Sequence, residues 1–355
     1  MPSPFEKILF VGPHYKNHRG GIGGVLEVYA KHITPFNYVP TLTYKNQFYE
    51  LFVFAGAIMK VFFKLLFNRK IRIVHIHGAK DGSIVRKAVV CFVARKIFRK
   101  KVIFHIHAGA FDERYIQGSK LYRSLCRFLV NNTEAIVVLS NRWDDFFRAN
   151  FKIKRILVIK NPVEQRIDDL LSNGQNGFVK FLFLGRIADH KGIFDLVNLI
   201  SKEQQNWRGK CKLFAGGNHE VDRLLKTIEE NNVSDIVEYI GWTQGQMKED
   251  YFKSCDYFIL PTYEEGMPVT ILEAYSYGKP VISTPVGSIP EILEHNYNGL
   301  LFQPGDMPVL KRLITDVINN PSMKERLGKN ALKKASEFYP SAIKQELEKL
   351  YAEII

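Results

Sequence analysis

The chain of 355 residues is poor in cysteine, and its four cysteines are scattered without a Cys-x-x-Cys pair. This pattern argues against a disulfide framework or a zinc ribbon and favours a reducing compartment. No Asp-x-Asp occurs, so a diphosphate bridged by a metal ion is not indicated, and we predict no metal. The first residues show no signal-peptide core, and we expect a cytoplasmic protein.

The dinucleotide-binding fingerprint is also missing. Gly20 and Gly21, in GGIGG (20–24), permit close backbone approach to a ligand, but the register is not G-x-G-x-x-G. The turn before them is long and polar, which speaks against a nucleotide-dependent oxidoreductase. No recognised nucleic-acid-binding module occurs either, so we predict no nucleic-acid partner.

Acidic residues are scarce in the N-terminal half. Up to residue 160 there are 28 Lys/Arg and 9 Asp/Glu, or +19, whereas the remainder has 22 and 27, or −5. A half with this excess of positive charge should bind phosphate, whether in nucleic acid, anionic lipid or a phosphorylated acceptor.

Short apolar runs alternate with helix-length segments along the whole chain, which is typical of doubly wound α/β domains. A polar segment at 165–177 contains two glycines and is typical of a linker. We therefore predict two Rossmann-like domains, residues 1–164 and 178–340. The last segment, 341–355, has the pattern of an amphipathic helix that can pack on the first domain.

The segment 51–70 is nearly all apolar but carries Lys60 and Lys64 on one helical face and ends in Arg69 and Lys70. Its apolar stretch is short against the ~20 residues that a membrane span requires. Two interpretations remain open: a core helix with a solvated lysine stripe, or a helix lying in the plane of a membrane surface.

A charged loop, LGRIADHKG (184–192), follows one predicted strand and precedes a helix. Arg186 and Lys191 are flanked there by Gly185 and Gly192. Ligands of open α/β sheets bind at the carboxyl ends of strands, so two cations near a helix N-terminus suit a diphosphate. The alternative is a solvated charged turn.

Two His-x-His pairs, His75/His77 and His105/His107, end neighbouring predicted strands. Strand alternation places both members of a pair on one face of the sheet. A four-histidine metal site is one interpretation, but no carboxylate or cysteine accompanies the pairs. Core histidines, with one at a strand end near a ligand, are the favoured interpretation.

Two carboxylates, Glu265 and Glu273, lie eight positions apart in EEGMPVTILEAYSYGKPVIS (264–283). If all eight steps were helical, at 1.5 Å each, they would lie ~12 Å apart, and Pro268 in the first helical turn would place Glu265 before the helix and widen the gap. Either distance is too far for an acid/base pair acting on one bond. The spacing suits two ends of an extended ligand, and the helix that begins near 267–270 adds its dipole. The alternative is a surface acid and a buried, hydrogen-bonded one.

Several motifs occur together in a fixed order: GR-x4-KG, a Gly-Trp after a strand, EGMPVTILEA-x3-GKPVIST-x2-G-x2-PEI, and YNGLLFQPGD. In this combination the chain resembles the retaining family-4 glycosyltransferases of the GT-B fold, strongly from about residue 178 to 306 and more weakly before. That fold has two Rossmann-like domains facing each other across a cleft.

The resemblance implies roles for individual residues. It implies that Arg186 and Lys191 stabilise the donor diphosphate, that Glu265 contacts the transferred sugar and that Glu273 accepts hydrogen bonds from the ribose. Further donor-site residues implied in this way are His107 beside the sugar, Gly20 and Gly21 near the diphosphate, Gly185, Gly266, Met267, Pro268, Val269 and Thr270 along the ligand, and Trp242 and Thr243 at the base. Glu264 is an extra acid, so an exchange of roles with Glu265 stays open.

The implied reaction needs no cofactor beyond the nucleotide-sugar donor, for which a UDP-hexose or UDP-N-acetylhexosamine is favoured and GDP-mannose comes next. A non-transferase nucleotide-binding protein, and a phosphorylase or synthase of the same fold, are the alternatives. The basic first half suggests an acceptor linked to polyprenyl diphosphate, used in cell-surface polysaccharide synthesis. We expect the protein on the inner face of an anionic cell membrane.

Overall fold

The computed structural model describes residues 3–16, 20–43, 46–166 and 177–355. The chain divides into two compact units, one formed by Met1–Pro162 with Phe338–Ile355 and one by Val163–Glu337. Nearly all of the predicted linker at 165–177 lies outside the described residues.

The first unit is built on a six-stranded parallel sheet of order β2-β1-β3-β4-β5-β6. Strands β3 and β4 lie at its centre. Parallel strands of this kind are covered on both faces, so nearly every residue of the two central strands is buried, histidines included. The strands are β1 (Ile8–Gly12), β2 (Tyr38–Pro40), β3 (Ile73–Gly78), β4 (Lys101–Ile106), β5 (Ala135–Val138) and β6 (Ile156–Val158).

Helices connect these strands and cover the sheet. A π-helical turn, Val93–Ile97, continues the third helix, and the C-terminal helix packs against the first. The α-helices of the first unit are α1 (Gly21–His32), α2 (Gln47–Phe67), α3 (Gly82–Phe92), α4 (Phe111–Ile116), α5 (Lys120–Asn131), α6 (Trp143–Asn150) and the C-terminal Pro340–Ile354.

The second unit has its own six-stranded parallel sheet, of order β12-β11-β10-β7-β8-β9. The chain winds outward in both directions from the neighbouring strands β7 and β10. Its strands are β7 (Val179–Leu184), β8 (Cys211–Gly216), β9 (Val237–Gly241), β10 (Tyr257–Leu260), β11 (Val281–Ser283) and β12 (Gly299–Leu301).

The helices of the second unit complete its doubly wound topology. They are α7 (Ile193–Trp207), α8 (Val221–Glu230), α9 (Gly245–Ser254), α10 (Val269–Ser276), α11 (Ile289–Ile292), α12 (Met307–Asn319) and α13 (Pro321–Ala335). The C-terminal helix Pro340–Ile354, which belongs to the first unit, is numbered α14. The prediction of two Rossmann-like α/β domains is confirmed. The facing of the two sheets across a cleft stays a prediction.

Helix α2 is anchored by a narrow stripe, with Ala57, Val61 and Leu65 buried at successive turns. Most of its other large apolar side chains are exposed, including Phe52 at 75% and Phe67 at 77%. Phe54, Ile58 and Phe62 are partly buried against the same core, so one face of the helix packs on the unit and the other face, with Lys60 and Lys64, is exposed. Among the helices that the structure describes, none is both long and apolar enough to cross a bilayer.

Candidate functional site

The topology of the second unit selects one edge of its sheet. Strands β7 and β10 are neighbours, and the connections that follow them lead to opposite sides of the sheet order. Ligands of open α/β sheets bind at such a switch point, outside the carboxyl ends of the strands. The loops after β7 and β10 contain the residues predicted for the diphosphate and the sugar, Arg186, Lys191 and Glu265.

The loop after β7 turns sharply into α7 at Gly192. This glycine has φ +69°, and a Cβ there would lie 1.9 Å from the Pro261 carbonyl oxygen. Only glycine therefore lets the loop lie directly against the segment that follows β10. The 3₁₀ turn Asp189–Lys191 precedes it, so the side chain of Lys191 reaches the next loop.

Lys191 and Glu265 form an ion pair at the switch point. The Lys191 Nζ lies 2.6 Å from Glu265 Oε1 and also donates to the Glu264 carbonyl at 2.9 Å. Both side chains are about 15% exposed. Burial raises the pKa of Glu265, an effect that Lys191 opposes and the nearby Glu264 reinforces. The acid that pairs with the loop lysine is thus Glu265, while Glu264 contributes its backbone.

Arg186 lies in the same loop but is exposed. Within the described ranges no hydrogen bond or ion pair engages its guanidinium. A planar group with free donors can bind a phosphate through two parallel hydrogen bonds. Of the two predicted cations of the loop, one is therefore held by a protein carboxylate and the other is available to an anionic ligand.

The segment at Glu265 and Gly266 packs closely against Gly287 and Ser288. Gly287 has φ +61°, and a Cβ there would lie 2.2 Å from the Glu265 carbonyl oxygen. Ser288 donates its amide to the Gly266 carbonyl at 2.9 Å and its hydroxyl at 2.6 Å. Helix α10 then begins at Val269 after Pro268, whose side chain cannot cap it. The N-terminus of α10 thus follows the Glu265 loop directly, and its first amides, without a side-chain cap, favour an anion.

The predicted start of this helix differs by one residue. Pro268 stands at the N-cap and not in the first turn, and Met267 before it is buried. The helical part of the Glu265–Glu273 spacing is therefore shorter than eight residues, because Glu265 belongs to the loop.

Only one of the two carboxylate oxygens of Glu273 has a described hydrogen-bond partner. Its Oε1 accepts a hydrogen bond from Lys248 Nζ at 2.6 Å, whereas its Oε2 is buried and has no partner in the part of the chain that is described. A buried oxygen of this kind is ready to accept a hydroxyl hydrogen bond. Lys248 belongs to α9 and was not predicted, because nothing in the local sequence distinguishes it from other surface lysines.

Trp242 and Thr243 follow β9 directly. Trp242 is 41% exposed, whereas Thr243 is buried. An exposed indole at the end of a strand offers a flat surface for a planar ring. Both residues follow the carboxyl end of a strand in the same sheet as Arg186 and Glu265.

The histidines of the first unit form a row on β3 and β4. The side chains of His75, His77 and His105 are completely buried, and those of His77 and His107 are hydrogen-bonded, Nδ1 to Nε2, at 2.9 Å. The other ring nitrogen of His107 lies 3.2 Å from Asn161 Oδ1. Burial lowers the pKa of His107 to about 4, so its ring is neutral near pH 7.

The nitrogens of His75, His77 and His105 come within 4.8 Å of one another. The three rings are stacked or tilted at interplanar angles of 15° to 35°. One nitrogen each of His75 and His77 is already hydrogen-bonded, to the Tyr351 hydroxyl at 2.6 Å and to His107 Nε2 at 2.9 Å. The arrangement suits a packed row of core histidines.

Gly20 and Gly21 stand at the start of α1. Gly20 is the N-cap in an extended conformation, and no side chain caps the helix. A Cβ at Gly20 would meet nothing within 4 Å, so no described neighbour requires a glycine here. Residues 17–19 of the preceding turn lie outside the described residues.

Comparison with known proteins accounts for most of the chain. The family model described as Glycosyl transferases group 1 matches residues 169–334, and that described as Glycosyltransferase Family 4 matches residues 19–166. The two matches correspond closely to the two structural units.

Two relatives illustrate the similarity. An uncharacterized glycosyltransferase of Methanocaldococcus jannaschii is 28% identical over 247 residues, which are 68% of this chain and 66% of the relative. The N,N'-diacetylbacillosaminyl-diphospho-undecaprenol alpha-1,3-N-acetylgalactosaminyltransferase of Campylobacter jejuni is 27% identical over 174 residues, 49% of this chain and 44% of the relative. The matched regions thus span less than two thirds of either relative.

Among solved structures, HepE of Anabaena in complex with UDP has a TM-score of 0.77 to this chain. The match covers 98% of this chain and 100% of HepE at 19% identity, and the same protein is also solved with UDP-glucose. At this level of identity the similarity establishes the fold.

Proposed function

Because the chain belongs to the group 1 glycosyltransferases, we propose that it transfers a hexosyl or N-acetylhexosaminyl group from a UDP-sugar to a lipid-linked saccharide. The observation that carries this proposal is the switch point of the second unit. Its loops and helix start contain a largely buried lysine–glutamate pair and an uncapped helix N-terminus, together with a guanidinium and a carboxylate oxygen to which the described residues offer no partner.

The diphosphate of the donor is assigned to Arg186, Lys191 and the first amides of α10. Arg186 supplies a free guanidinium, and the α10 N-terminus supplies backbone donors without a competing cap. These groups stabilise the negative charge that develops on the departing diphosphate. They provide a metal-independent way to stabilise the leaving group.

The transferred sugar is assigned to Glu265 and the backbone of Gly266, Met267 and Pro268. The Lys191 ion pair fixes the Glu265 carboxylate, and its second oxygen is available to sugar hydroxyls. A fixed and partly desolvated carboxylate orients these hydroxyls more strongly than a solvated one. The resemblance adds His107 beside the sugar and Gly20 and Gly21 near the diphosphate, and these positions stay predictions.

The nucleoside is assigned to Glu273, Trp242 and Thr243. The free Oε2 of Glu273 accepts a hydrogen bond from a ribose hydroxyl, while Lys248 holds Oε1. Val269 and Thr270 stand one turn earlier on the same helix, under the ribose and phosphates. HepE, the structural neighbour solved with UDP and UDP-glucose, supports the choice of uracil as the base.

The reaction retains the anomeric configuration through front-face attack. The acceptor hydroxyl oxygen bonds to the anomeric carbon on the face from which the diphosphate leaves. The bond from that carbon to the diphosphate oxygen breaks with its electron pair, and this oxygen takes the acceptor proton. No strong protein base is then needed, which fits a site whose carboxylates are engaged by lysines.

Ligand binding tests the proposal. Thermal shift with UDP, UDP-glucose, UDP-N-acetylglucosamine, GDP-mannose and NAD is expected to raise Tm with the uridine ligands, since a ligand of the native state stabilises it. UDP at 100 times its Kd adds ~2.7 kcal/mol. A rise in Tm with GDP-mannose alone would mean that the donor is GDP-mannose and not a UDP-sugar. No change in Tm with any of the five ligands would contradict the proposed function.

Glu273→Gln should weaken UDP binding. The substitution keeps the shape of the side chain but removes the charge that strengthens its hydrogen bond to ribose, so Kd is expected to rise about 10- to 100-fold. Calorimetric titration with UDP measures this. Glu238→Gln is the matched control, because Glu238 also pairs with a lysine, Lys212, in the same unit. Equal Kd values for Glu273→Gln and wild type would remove Glu273 from the ribose site.

Helix α2 supplies the proposed membrane surface. Phe52, Met59, Phe63 and Phe67 are exposed beside the exposed Lys60 and Lys64, and Arg69 and Lys70 follow. Apolar side chains among lysines fit the interface of an anionic bilayer, where each basic residue contributes ~1 kcal/mol. This would bring the first unit to a polyprenyl-linked acceptor, the kind of substrate named for the Campylobacter relative.

Flotation with vesicles tests this surface. The wild type is expected to float with phosphatidylcholine vesicles that contain phosphatidylglycerol, and much less with phosphatidylcholine alone. Lys60→Glu with Lys64→Glu should lower the partition coefficient about tenfold or more, since two attractive charges become repulsive. Leu225→Ser, at an exposed apolar position of α8, is the control. Equal flotation of the charge variant and the wild type would contradict the assignment.

A further inference from the structure

The first unit has a switch point of its own. In the order β2-β1-β3-β4, the strands β1 and β3 are neighbours, and β2, the strand that follows β1 in sequence, lies on the far side of β1. By the rule applied to the second unit, a ligand of this unit binds outside the carboxyl ends of β1 and β3. These ends are Gly12 and Gly78.

Lys87 is buried at this place. The residue belongs to α3 and is 2% exposed. A Cβ on Gly78 would lie 3.3 Å from the Lys87 Cγ, so the lysine stem packs against the end of β3. Its Nζ donates to the Thr41 hydroxyl, and that hydroxyl lies 3.0 Å from the Gly12 carbonyl, to which it donates. The ammonium group is thus anchored to residues at the ends of three adjacent strands.

The ammonium group lacks a counter-charge within the part of the chain that the structure describes. Among the described residues no carboxylate pairs with Lys87, and the Thr41 hydroxyl is its hydrogen-bond partner. A buried charge without an opposite charge is unfavourable, and burial, with Arg86 nearby, lowers the pKa of Lys87 to about 7. A bound anion would supply the missing charge and use the remaining N–H donors.

We propose that Lys87, positioned by the Thr41 hydroxyl, binds a diphosphate group at the carboxyl edge of the first sheet, and that this group belongs to the lipid-linked acceptor. The second part rests on the proposed function. The uncapped start of α1, which follows β1, adds backbone donors at this edge. The +19 charge of the first 160 residues attracts the same ligand.

Calorimetric titration with inorganic pyrophosphate and geranyl diphosphate tests the site, with and without saturating UDP. UDP occupies the donor site, so binding in its presence reports another site. Lys87→Met keeps the stem and removes the charge, and both affinities are expected to fall tenfold or more. The Kd for UDP should stay within twofold. Lys31→Met is the control, because Lys31 is an exposed lysine of the same unit paired with Glu27.

Thr41→Val provides a second test that leaves Lys87 in place. It removes the hydroxyl at nearly constant shape, and the affinity for pyrophosphate is expected to fall several-fold. The Tm of Lys87→Met should equal or exceed that of the wild type, because an unpaired buried charge is replaced by an apolar group. A role limited to packing would lower Tm and leave the pyrophosphate affinity of Thr41→Val unchanged.

The titrations distinguish an acceptor site at Lys87 from a donor site and from no site. If the wild type binds neither diphosphate in saturating UDP, or if both variants bind them as the wild type does, the site is overturned. If Lys87→Met loses affinity for UDP, the group bound there belongs to the donor, and the acceptor assignment is wrong. Failure of the wild type to bind UDP would contradict the donor assignment alone, since the titrations without UDP still report on Lys87.

Discussion

Arg186→Ala is expected to lower kcat about 10³-fold with a UDP-sugar donor and to leave the fold intact. The side chain is exposed and makes no described contact within the protein, so its removal leaves no buried partner unsatisfied. Its free guanidinium would act on the charge that appears as the diphosphate departs. Removing one such group typically lowers kcat 10²- to 10³-fold.

Steady-state rates with UDP-sugar, together with Tm, measure this effect. Arg208→Ala is the matched control, because Arg208 is also exposed in the second unit but pairs with Asp235 and Gln204. Arg186→Lys is expected to restore only part of the rate, since a single ammonium cannot form two parallel hydrogen bonds. An Arg186→Ala enzyme that turns over at the wild-type rate would overturn the site assignment.

Glu265→Gln is expected to lower kcat by 10²-fold or more with little change in Tm. The Lys191 ammonium loses its counter-charge, but the raised pKa of Glu265 means that burial already disfavours the charged carboxylate, so the two effects on stability oppose each other. Thermal unfolding and rates measure the two effects. Adding Lys191→Met should restore none of the activity.

The same experiment decides between the two neighbouring acids. Glu264→Gln is expected to keep most of the rate, because Glu264 meets Lys191 through its backbone carbonyl and not through its carboxylate. A large loss in Glu264→Gln with little loss in Glu265→Gln would exchange their roles.

The pH dependence of stability gives a further readout of Glu265. Burial raises its pKa in the folded chain, so the folded state holds this proton more tightly than the unfolded state does. Between the ordinary pKa, about 4.5, and the raised value, the contribution of Glu265 to stability falls as pH rises. Glu265→Gln should remove that slope. An unchanged slope would mean that Glu265 is not the titrating group.

The strands that the sequence predicts best are the buried ones. Runs such as KILFVG and VKFLFLGR form β1 and β7, since a strand covered on both sides must be apolar throughout. Strand β2 was missed, because it has three residues, one of them proline, and lies at the sheet edge. The π-helical turn after α3 was also missed, since it has no compositional signal.

Most of the proposed donor site could be predicted because its motif residues stand in two loops and one helix start. The hydrogen-bond partners of these residues could not be predicted. Lys191 and Glu265 are 74 positions apart, and Lys248 meets Glu273 across 25. A hydrogen bond between distant segments depends on where the sheet brings them, and single-sequence periodicity carries no information on that. The hydrogen bond between Lys87 and Thr41, 46 positions apart, could not be predicted for the same reason.

The order of apolar runs, glycines and charges was sufficient by itself to determine two doubly wound domains and the loops that hold Arg186, Lys191 and Glu265. Those features depend on local periodicity and turn chemistry, which the chain carries at each position. The tertiary structure alone decided which charges are paired and which are free. Within the ranges that the structure describes, it left the Arg186 guanidinium, one oxygen of Glu273 and the Lys87 ammonium without a charged partner. Burial and long-range pairing set these differences, because desolvation acts on a side chain only once the sheets have formed.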